Sequence, residues 1–139
     1  ASHSHWFSGD YNYNLIKLSS IIPEGFEPVV KKVNLNDQEY GHRLYVVMAS
    51  HGELELGKEA WAGLGWVVTE TKPTRGLFVE HHGTNEQEVI NLINETLADM
   101  IKRRKDKFGP IQSKTIGLKC SGRPVCALVA AVYQSAGWK

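Results

Sequence analysis

The spacing of hydrophobic and polar positions predicts strands in the first half of this chain. Residues 13–20 alternate apolar and polar side chains, which is typical of a strand with one buried face. Residues 43–50 are nearly continuously apolar and predict a buried central strand, followed by a loop at residues 51–57. Residues 23–41 are rich in Pro, Gly, Asn and Asp, so we expect at most one short strand there, at residues 28–33.

The second half of the chain carries one long helix between predicted strands. In residues 84–105, apolar side chains repeat at helical spacing on one face, and Thr84 is the predicted N-cap, with a glutamine three residues later completing a capping box. Residues 59–70 are assigned to a strand, because the two glycines within them would weaken a helix interior. Further strands are predicted at residues 76–82, 111–120 and 125–135, the last two closing across a Gly-Pro turn. This order of elements predicts an α+β domain.

Length and composition predict one ordinary globular domain, residues 1–139. The chain is 42% hydrophobic and 22% charged, which is typical of a protein with a substantial core. Its net charge of +1 gives no indication of a nucleic-acid partner or of binding to a membrane surface. No apolar run approaches the roughly 20 residues of a membrane span, and no signal-peptide pattern opens the sequence. A cytoplasmic location is therefore predicted.

Residues that bind metals or form disulfides are sparse. Cys120 and Cys126 flank a short turn and are predicted to be free thiols. Cys126 opens an apolar run, so it is expected to be a small core residue. His3 and His5 have no cluster of further ligands around them, and no metal site is predicted.

A pair of serines stands where an apolar run meets a forced bend. The run ends at Ser19 and Ser20, and after two isoleucines Pro23 fixes φ and Gly25 supplies a turn. A serine held in a strained peptide at the end of a strand can attack the carbonyl of the residue before it, which breaks the chain and can leave a reactive carbonyl behind. Most serine pairs at strand ends are inert polar residues, so the pattern alone leaves both interpretations open.

Three blocks of sequence, in a fixed order, bear on this choice. They are NLIKLSSIIP at residues 14–23, GLFVEHHG at residues 76–83 and CALVAAVY at residues 126–133. In this order they resemble the pyruvoyl-dependent arginine decarboxylases, and the similarity runs from about Asn14 to the end of the chain. The resemblance implies a four-layer αββα sandwich with mainly antiparallel sheets, assembled as a homotrimer of αβ units or a multiple of it. Since one helix gives little cover, we expect a second within residues 21–41 or packing between subunits.

The resemblance also implies that the protein processes itself at the serine pair. Ser20 Oγ would attack the carbonyl of Ser19, and the resulting ester would undergo β-elimination, which releases Ser19 as a new carboxyl terminus. Hydrolysis of the dehydroalanine left at position 20, with loss of ammonia, would give a covalent pyruvoyl group. The products would be a β chain, residues 1–19, and an α chain, residues 20–139. The attack needs a hydrogen-bond donor to the carbonyl oxygen of Ser19.

The activity implied by the resemblance is decarboxylation of an amino acid, arginine to agmatine plus CO2, through a Schiff base to the pyruvoyl group. Glu80 would be the acid that protonates Cα. It follows three apolar residues, so desolvation is expected to raise its pKa, although a solvent-facing strand end is the alternative. Asn14 would lie beside the pyruvoyl group and polarise a carbonyl or bind substrate, and its alternative role is a satisfied amide on an edge strand. His81 and His82 could tune Glu80 or simply face solvent.

The substrate is less well defined than the chemistry. Ser19 and Asn14 are expected to contact it, and a guanidinium group also needs a carboxylate. The only acid before Ser19 is Asp10, which follows Gly9 in a turn signal, so arginine is mainly the suggestion of the resemblance. Two alternatives stay open. One is the same mechanism on another amino acid, such as histidine, and the other is a family relative that neither cleaves itself nor catalyses and serves as a binding or assembly subunit.

Overall fold

The computed structural model describes residues 12–30 and 37–138, except for the side chain of Asp37. Its strands and helices, in chain order, are β1 (Asn14–Lys17), β2 (Ile21–Ile22), a 3₁₀ helix (Asp37–Glu39), β3 (Arg43–Glu53), β4 (Glu59–Val68), β5 (Gly76–Gly83), α1 (Glu86–Lys102), β6 (Gln112–Lys119) and β7 (Val125–Ala136). The α+β class with mainly antiparallel strands is confirmed. β3 is longer than predicted, because its pairing with β7 continues as far as Glu53, opposite Val125.

The strands form two sheets. The first sheet has the order β1-β3-β7, with β1 parallel to β3 and β7 antiparallel to it. The second sheet has the order β2-β5-β4-β6 and is antiparallel throughout. The predicted hairpin of β6 and β7 is therefore wrong: β6 pairs with β4, whereas β7 crosses to the first sheet.

The inner faces of the two sheets pack against each other and form the main core. This core contains Ile22, Val47, Ala49, Ala60, Ala62, Leu64, Trp66, Phe78, Ala127 and Val129, all at most 6% exposed. A second cluster lies on the opposite face of the second sheet, where α1 packs on β4 and β5 through Val67, Leu77, Val79, Val89, Ile93 and Leu97. The described residues thus form three layers, in the order helix, sheet, sheet.

Two glycines of β4 explain how closely the helix approaches the sheet. A Cβ built on Gly63 would lie 2.8 Å from Cγ1 of Val89, and one built on Gly65 would overlap Cγ2 of Ile93. Both glycines are buried. They serve to bring α1 against the sheet.

The N-cap of the helix lies one residue later than predicted. Asn85 is the N-cap, with extended backbone at φ −148°, and its Oδ1 accepts a hydrogen bond of 3.0 Å from the backbone N of Glu88. Thr84 was therefore the wrong prediction. It stands next to Asn85, and threonine and asparagine are both good N-cap residues, so the sequence alone does not choose between them. The helix ends at Lys102, which places one basic side chain in the last turn.

Other predictions have mixed outcomes. In the described part of residues 21–41, the 3₁₀ helix is the only helical segment, and residues 28–30 are not a strand. Both cysteines are free, as predicted, but Cys120 is the buried one and Cys126 is exposed, so the core assignment of Cys126 was wrong. Within residues 12–30 and 37–138, no helix is long and apolar enough to cross a membrane.

Candidate active site

The serine pair lies where the chain crosses from one sheet to the other. The last bond to the first sheet is from the backbone N of Leu18 to the carbonyl oxygen of Val46, 2.8 Å long. Two residues later, the carbonyl oxygen of Ser20 accepts a 2.7 Å hydrogen bond from the N–H of Phe78 on β5, in the second sheet. Ser19 is exposed and Ser20 is half-buried. The Ser19–Ser20 peptide bond thus lies in the short link between two anchored segments.

The segment after the serine pair is fixed on the second sheet. Ile22 is 3% exposed and packs over Gly76, where an added Cβ would lie 2.6 Å from Cδ1 of Ile22. The following bend uses Gly25 at φ +84°, a conformation that side chains other than glycine rarely adopt. The N–H of Gly25 donates to the carbonyl oxygen of Thr74 at 2.7 Å. The predicted turn is therefore present, and its hydrogen bond holds the segment after Ser20 against the loop before β5.

Glu80 shares a face of β5 with the residue that holds Ser20. Alternation along the strand directs Leu77 and Val79 to the helix, and it directs Phe78 and Glu80 to the first sheet. Glu80 is two residues beyond Phe78, about 7 Å along the strand. The residue as a whole is exposed, but partial burial of its carboxyl raises its pKa, and the Lys17 ammonium opposes this by lowering it. The raised pKa agrees in direction with the role expected of a proton donor.

Tyr133 of β7 completes this group, and the sequence prediction missed it. Its hydroxyl donates to the carbonyl oxygen of Ile21 at 3.3 Å, and its ring centroid lies 5.9 Å from that of Phe78. Burial, and then the charge of Glu80, raises the pKa of Tyr133 to about 12. The phenol therefore remains protonated at neutral pH and can donate a hydrogen bond. Its position as the last residue of the third resemblance block was the available signal.

Asn14 lies at the other end of β1 from the serine pair. Its Nδ2 donates to the carbonyl oxygen of Gly41 at 2.8 Å, and Trp138 Nε1 donates to the same oxygen, also at 2.8 Å. The four residues of β1 place its two ends about 10 Å apart. Within one chain, then, Asn14 is engaged with backbone rather than with Ser20. Asp10 lies outside the described residues.

The two histidines after Glu80 lie on opposite faces of β5. His81 faces the helix, where its Nε2 is 2.8 Å from Thr96 Oγ1, and burial followed by the charge of His82 lowers its pKa. His82 shares the face of Glu80, and its Nδ1 is 2.8 Å from Nδ1 of His51 on β3. His82 and His51 thus join the two sheets just beyond Glu80, whereas His81 is separated from Glu80 by the sheet.

A cavity of about 150 Å³ opens beside this group, between the bend after β2 and strand β7. Its walls are mostly apolar and include Ile22, Phe26, Trp66, Phe78 and Tyr133, with Glu27 and Lys114 as charged members. Among the residues that the structure describes, there is no group of three or more side chains suited to holding a metal ion. The arrangement thus offers a serine at a chain crossing, an acid with a raised pKa, a neutral phenol and a largely apolar space.

Comparison with known proteins identifies the group to which this arrangement belongs. A family model described as pyruvoyl-dependent arginine decarboxylase matches residues 9–136. The chain belongs to this family. Pyruvoyl-dependent arginine decarboxylase 2 of Archaeoglobus fulgidus is 26% identical over 129 residues, which are 91% of this chain and 80% of that protein.

Two further relatives are named pyruvoyl-dependent arginine decarboxylase. The protein of Thermoplasma volcanium is 30% identical over 60% of this chain and 46% of its own length. That of Picrophilus torridus is 28% identical over 68% of this chain and 53% of its own length. The chain thus matches about half the length of these two relatives. The family, the enzyme class and the pyruvoyl cofactor that we expected are confirmed at the level of the family.

The residues present fit a pyruvoyl group at position 20. Such a group forms from a serine in the chain, and Ser20 stands half-buried at the crossing with its own carbonyl held by Phe78. The protonated phenol of Tyr133 and the acid Glu80 lie on the strands that border it.

Proposed function

We propose that this chain cleaves itself between Ser19 and Ser20 and decarboxylates an amino acid, with arginine as the first candidate. The observation that carries the proposal is the crossing itself. Hydrogen bonds hold Leu18 to the first sheet and Ser20 to the second, so the bond that must break lies in the short link between two anchored segments. Both halves keep their own partners after cleavage, β1 on β3 and β2 on β5.

The proposed cleavage uses only the chain and one water molecule. The hydroxyl oxygen of Ser20 attacks the carbonyl carbon of Ser19, and the C–N bond between the two residues breaks as the amide becomes an ester. Elimination then breaks the Cβ–Oγ bond of Ser20, so Ser19 departs as a carboxylate. Water adds to the resulting dehydroalanine and ammonia leaves, which converts residue 20 to a ketone. The products are residues 1–19 and residues 20–139.

Glu80 is the proposed proton donor in the decarboxylation. The pyruvoyl group supplies the electron sink that accepts the pair left on Cα when CO2 departs. Glu80, whose pKa burial raises, then returns a proton to Cα. Tyr133 holds the carbonyl of Ile21, directly after the reacting residue, and remains neutral because Glu80 and burial oppose its ionisation. A largely apolar cavity, lined in part by Tyr133 and Phe78, lies beside them.

Arginine comes from the names of the relatives, and the proposal for this chain rests on them. A guanidinium group needs a carboxylate. Asp10 keeps its proposed role, and Glu27 is a second candidate because it lines the first cavity. Its carboxylate also pairs with the exposed Lys72 at 3.1 Å. Another amino acid, such as histidine, is the alternative substrate.

The proposed assembly is a homotrimer of αβ units, or a multiple of it, with each subunit a four-layer αββα sandwich. Three of those layers are described, and the outer face of the first sheet carries the apolar cluster of Tyr13, Leu44 and Val46. A fourth layer over this cluster would complete the sandwich. In a trimer, the exposed Asn14 could also face the site of a neighbouring subunit.

The test is to incubate the purified protein with single amino acids and to measure CO2. Arginine is expected to release CO2 fastest, and the Ser20→Ala variant is expected to release none above background. Faster release from histidine or another amino acid would replace the substrate and keep the mechanism. A chain that stays intact and releases no CO2 would instead support the binding or assembly subunit.

A further inference from the structure

A second cavity shares Pro23, Phe26 and Tyr133 with the first. It has a volume of about 270 Å³, and its lining residues are Leu18 of the crossing, Pro23 and Phe26 of the bend after β2, Arg43 and Tyr45 of β3, and Tyr133, Gln134 and Ala136 of β7. Arg43 and Tyr45 alternate along β3 with the same spacing as the core residue Val47. Their side chains therefore lie on the inner face of the first sheet. The crossing of the chain closes this cavity on one side.

The cationic group in this cavity has no carboxylate partner among the residues that the structure describes. Arg43 Nη1 donates to Tyr45 Oη at 2.9 Å, and Nη2 donates to the carbonyl oxygen of Gly137 at 2.6 Å. The guanidinium carbon also lies 5.0 Å from the ring centroid of Trp138. Among residues 12–30 and 37–138, however, no carboxylate forms an ion pair with Arg43.

One nitrogen of Arg43 strengthens this observation. Nε is buried and has no hydrogen-bond partner, and it is the only side-chain atom in that condition within the described part of the chain. A buried N–H without an acceptor is costly, and Nε with one Nη forms the edge that a carboxylate binds through two parallel hydrogen bonds. Arg43 thus brings to the lining of the cavity a cation with one buried donor that has no acceptor. A carboxylate is the ligand that this chemistry selects.

The cleavage creates a carboxylate beside this cavity. Leu18 is one of its lining residues and is anchored by its N–H to Val46, and Ser19 follows it directly and is exposed. While the chain is intact, Ser19 is tied to Ser20, which is bonded to the second sheet. Once the bond is broken, Ser19 ends in a carboxylate and can turn about Leu18.

We propose that the Arg43 cavity is a carboxylate site, and that in the cleaved protein it holds the new chain end at Ser19. This inference rests on the proposed function, since it needs the cleavage to occur. Binding there would anchor the end of the β chain. It would also keep that carboxylate away from Glu80, where a second negative charge would compete for the same protons.

The test is to dilute the cleaved protein and to measure by native mass spectrometry how fast the fragment 1–19 is released. Arg43→Gln removes the charge, and Arg104→Gln removes an exposed charge at the end of the helix as the matched control. Loss of a charge-assisted pair is expected to speed fragment release on the order of tenfold in Arg43→Gln and not in Arg104→Gln. Arg43→Lys keeps the charge without the paired donors and should give an intermediate rate; it also serves if Arg43→Gln folds poorly.

A second experiment distinguishes an effect of the chain-end carboxylate from a general effect of Arg43 on packing. In the uncleavable Ser20→Ala background, Arg43→Gln is expected to lower the thermal midpoint less than it does in the cleaved protein, because the bonds to Tyr45 and Gly137 are lost in both but only the cleaved protein has a chain-end carboxylate. An equal loss of stability in the cleaved and the uncleaved protein would overturn the inference. Release rates that do not differ between Arg43→Gln and Arg104→Gln would overturn it as well.

The carboxylate that binds Arg43 could instead come from the substrate. A third experiment distinguishes the two sources. If Arg43 binds the α-carboxylate of the amino acid, Arg43→Gln would raise KM and leave fragment release unchanged, which contradicts the inference. A wild-type chain that remains uncleaved would instead contradict the proposed function. The two failures are therefore distinguishable from one set of samples.

Discussion

The two faces of β5 differ in a way that explains how this domain is organised. On the face toward α1, Leu77 and Val79 are at most 4% exposed and meet a helix that is brought close by glycines of β4. On the face toward the first sheet, Phe78 is followed by Glu80 and His82, and the chain crosses between sheets at the same level. One face is closed by packing, whereas the other carries groups that ionise or donate hydrogen bonds.

The difference shows how a short strand can support both stability and chemistry. The helix side fixes the position of β5, and the fixed strand in turn holds the carbonyl of Ser20 through Phe78. Groups on the site side can then be held in partly buried positions that shift their pKa values, because packing against the helix positions the backbone that carries them. Substitutions on the helix face of β5 are therefore expected to change stability, whereas substitutions on the other face are expected to change the chemistry.

The largest effect is expected from Ser20→Ala, which removes the hydroxyl proposed to attack Ser19. Cleavage and CO2 release should both be abolished, since no nucleophile remains and no ketone can form. Denaturing gel electrophoresis and a CO2 assay measure the two effects. The matched control is Ser19→Ala, which keeps the attacking hydroxyl and should still cleave. Cleavage at the normal rate in Ser20→Ala would show that another group attacks.

Glu80→Gln should separate maturation from turnover. We expect two chains on a denaturing gel, as in the parent, but a loss of turnover on the order of 10²–10⁴-fold, the usual contribution of general acid catalysis. The acid must be protonated to act, so the parent's rate should fall as pH rises through the raised pKa of Glu80, and this decline should be absent in the variant.

The control for Glu80→Gln is Glu88→Gln, an exposed carboxylate in the first turn of α1. It should leave the rate and its pH dependence unchanged. A variant at position 80 that retains the full rate and the same decline would exclude Glu80 as the proton donor.

Gly65→Ala tests the helix face. The added Cβ would overlap Ile93, so overpacking should lower the free energy of unfolding by about 1–3 kcal/mol. Gly83→Ala is the matched control, because its Cβ would lie 3.6 Å from Val89 Cγ2, an ordinary contact. Urea unfolding of the Ser20→Ala background measures both without the complication of a broken chain. Equal stabilities for the two variants would contradict the close approach of helix and sheet.

Tyr133→Phe should have a smaller effect on the site face. It removes one hydrogen bond to Ile21, worth about 1 kcal/mol, so cleavage is expected to slow several-fold while the fold is retained. The rate of appearance of the fragment 1–19 measures this effect. Tyr40→Phe is the control, since Tyr40 is 77% exposed. If both variants cleave at the parent's rate, Tyr133 has no part in positioning the reacting segment.

The smallest effect is expected from Lys17→Gln, which acts on the protonation of Glu80 alone. The Lys17 ammonium lowers the pKa of Glu80, so its removal should move the alkaline decline in rate to higher pH. Lys119→Gln, at the end of β6, is the control. A decline that moves to lower pH, or does not move, would show that Lys17 does not act on Glu80.

The local elements were largely predictable from the sequence. Strand and helix types follow from side-chain period, and β3 and α1 were placed within a few residues. Strand pairing was not predictable in the same way: β6 and β7 are adjacent in sequence and lie in different sheets, a choice that depends on contacts far along the chain. The cap was misplaced because Thr84 and Asn85 both suit the position.

The candidate site was predictable in part, and for a physical reason. Ser20 and Glu80 lie within recognisable blocks, but their roles remain predictions until they are tested. Tyr133 was missed because its partner Ile21 is 112 residues away in the chain. The contact of Asn14 with Gly41 spans 27 residues and joins the N-terminal strand to the loop before β3, which no local pattern reveals.

The most direct test of the central claim is the mass of the purified, denatured protein. The account predicts two chains that meet between Ser19 and Ser20, the longer one lighter by one ammonia than a chain that begins with an ordinary serine. A carbonyl reagent should add once to that chain and not to the shorter one. A preparation that releases CO2 from arginine while every molecule remains a single unbroken chain would contradict the account.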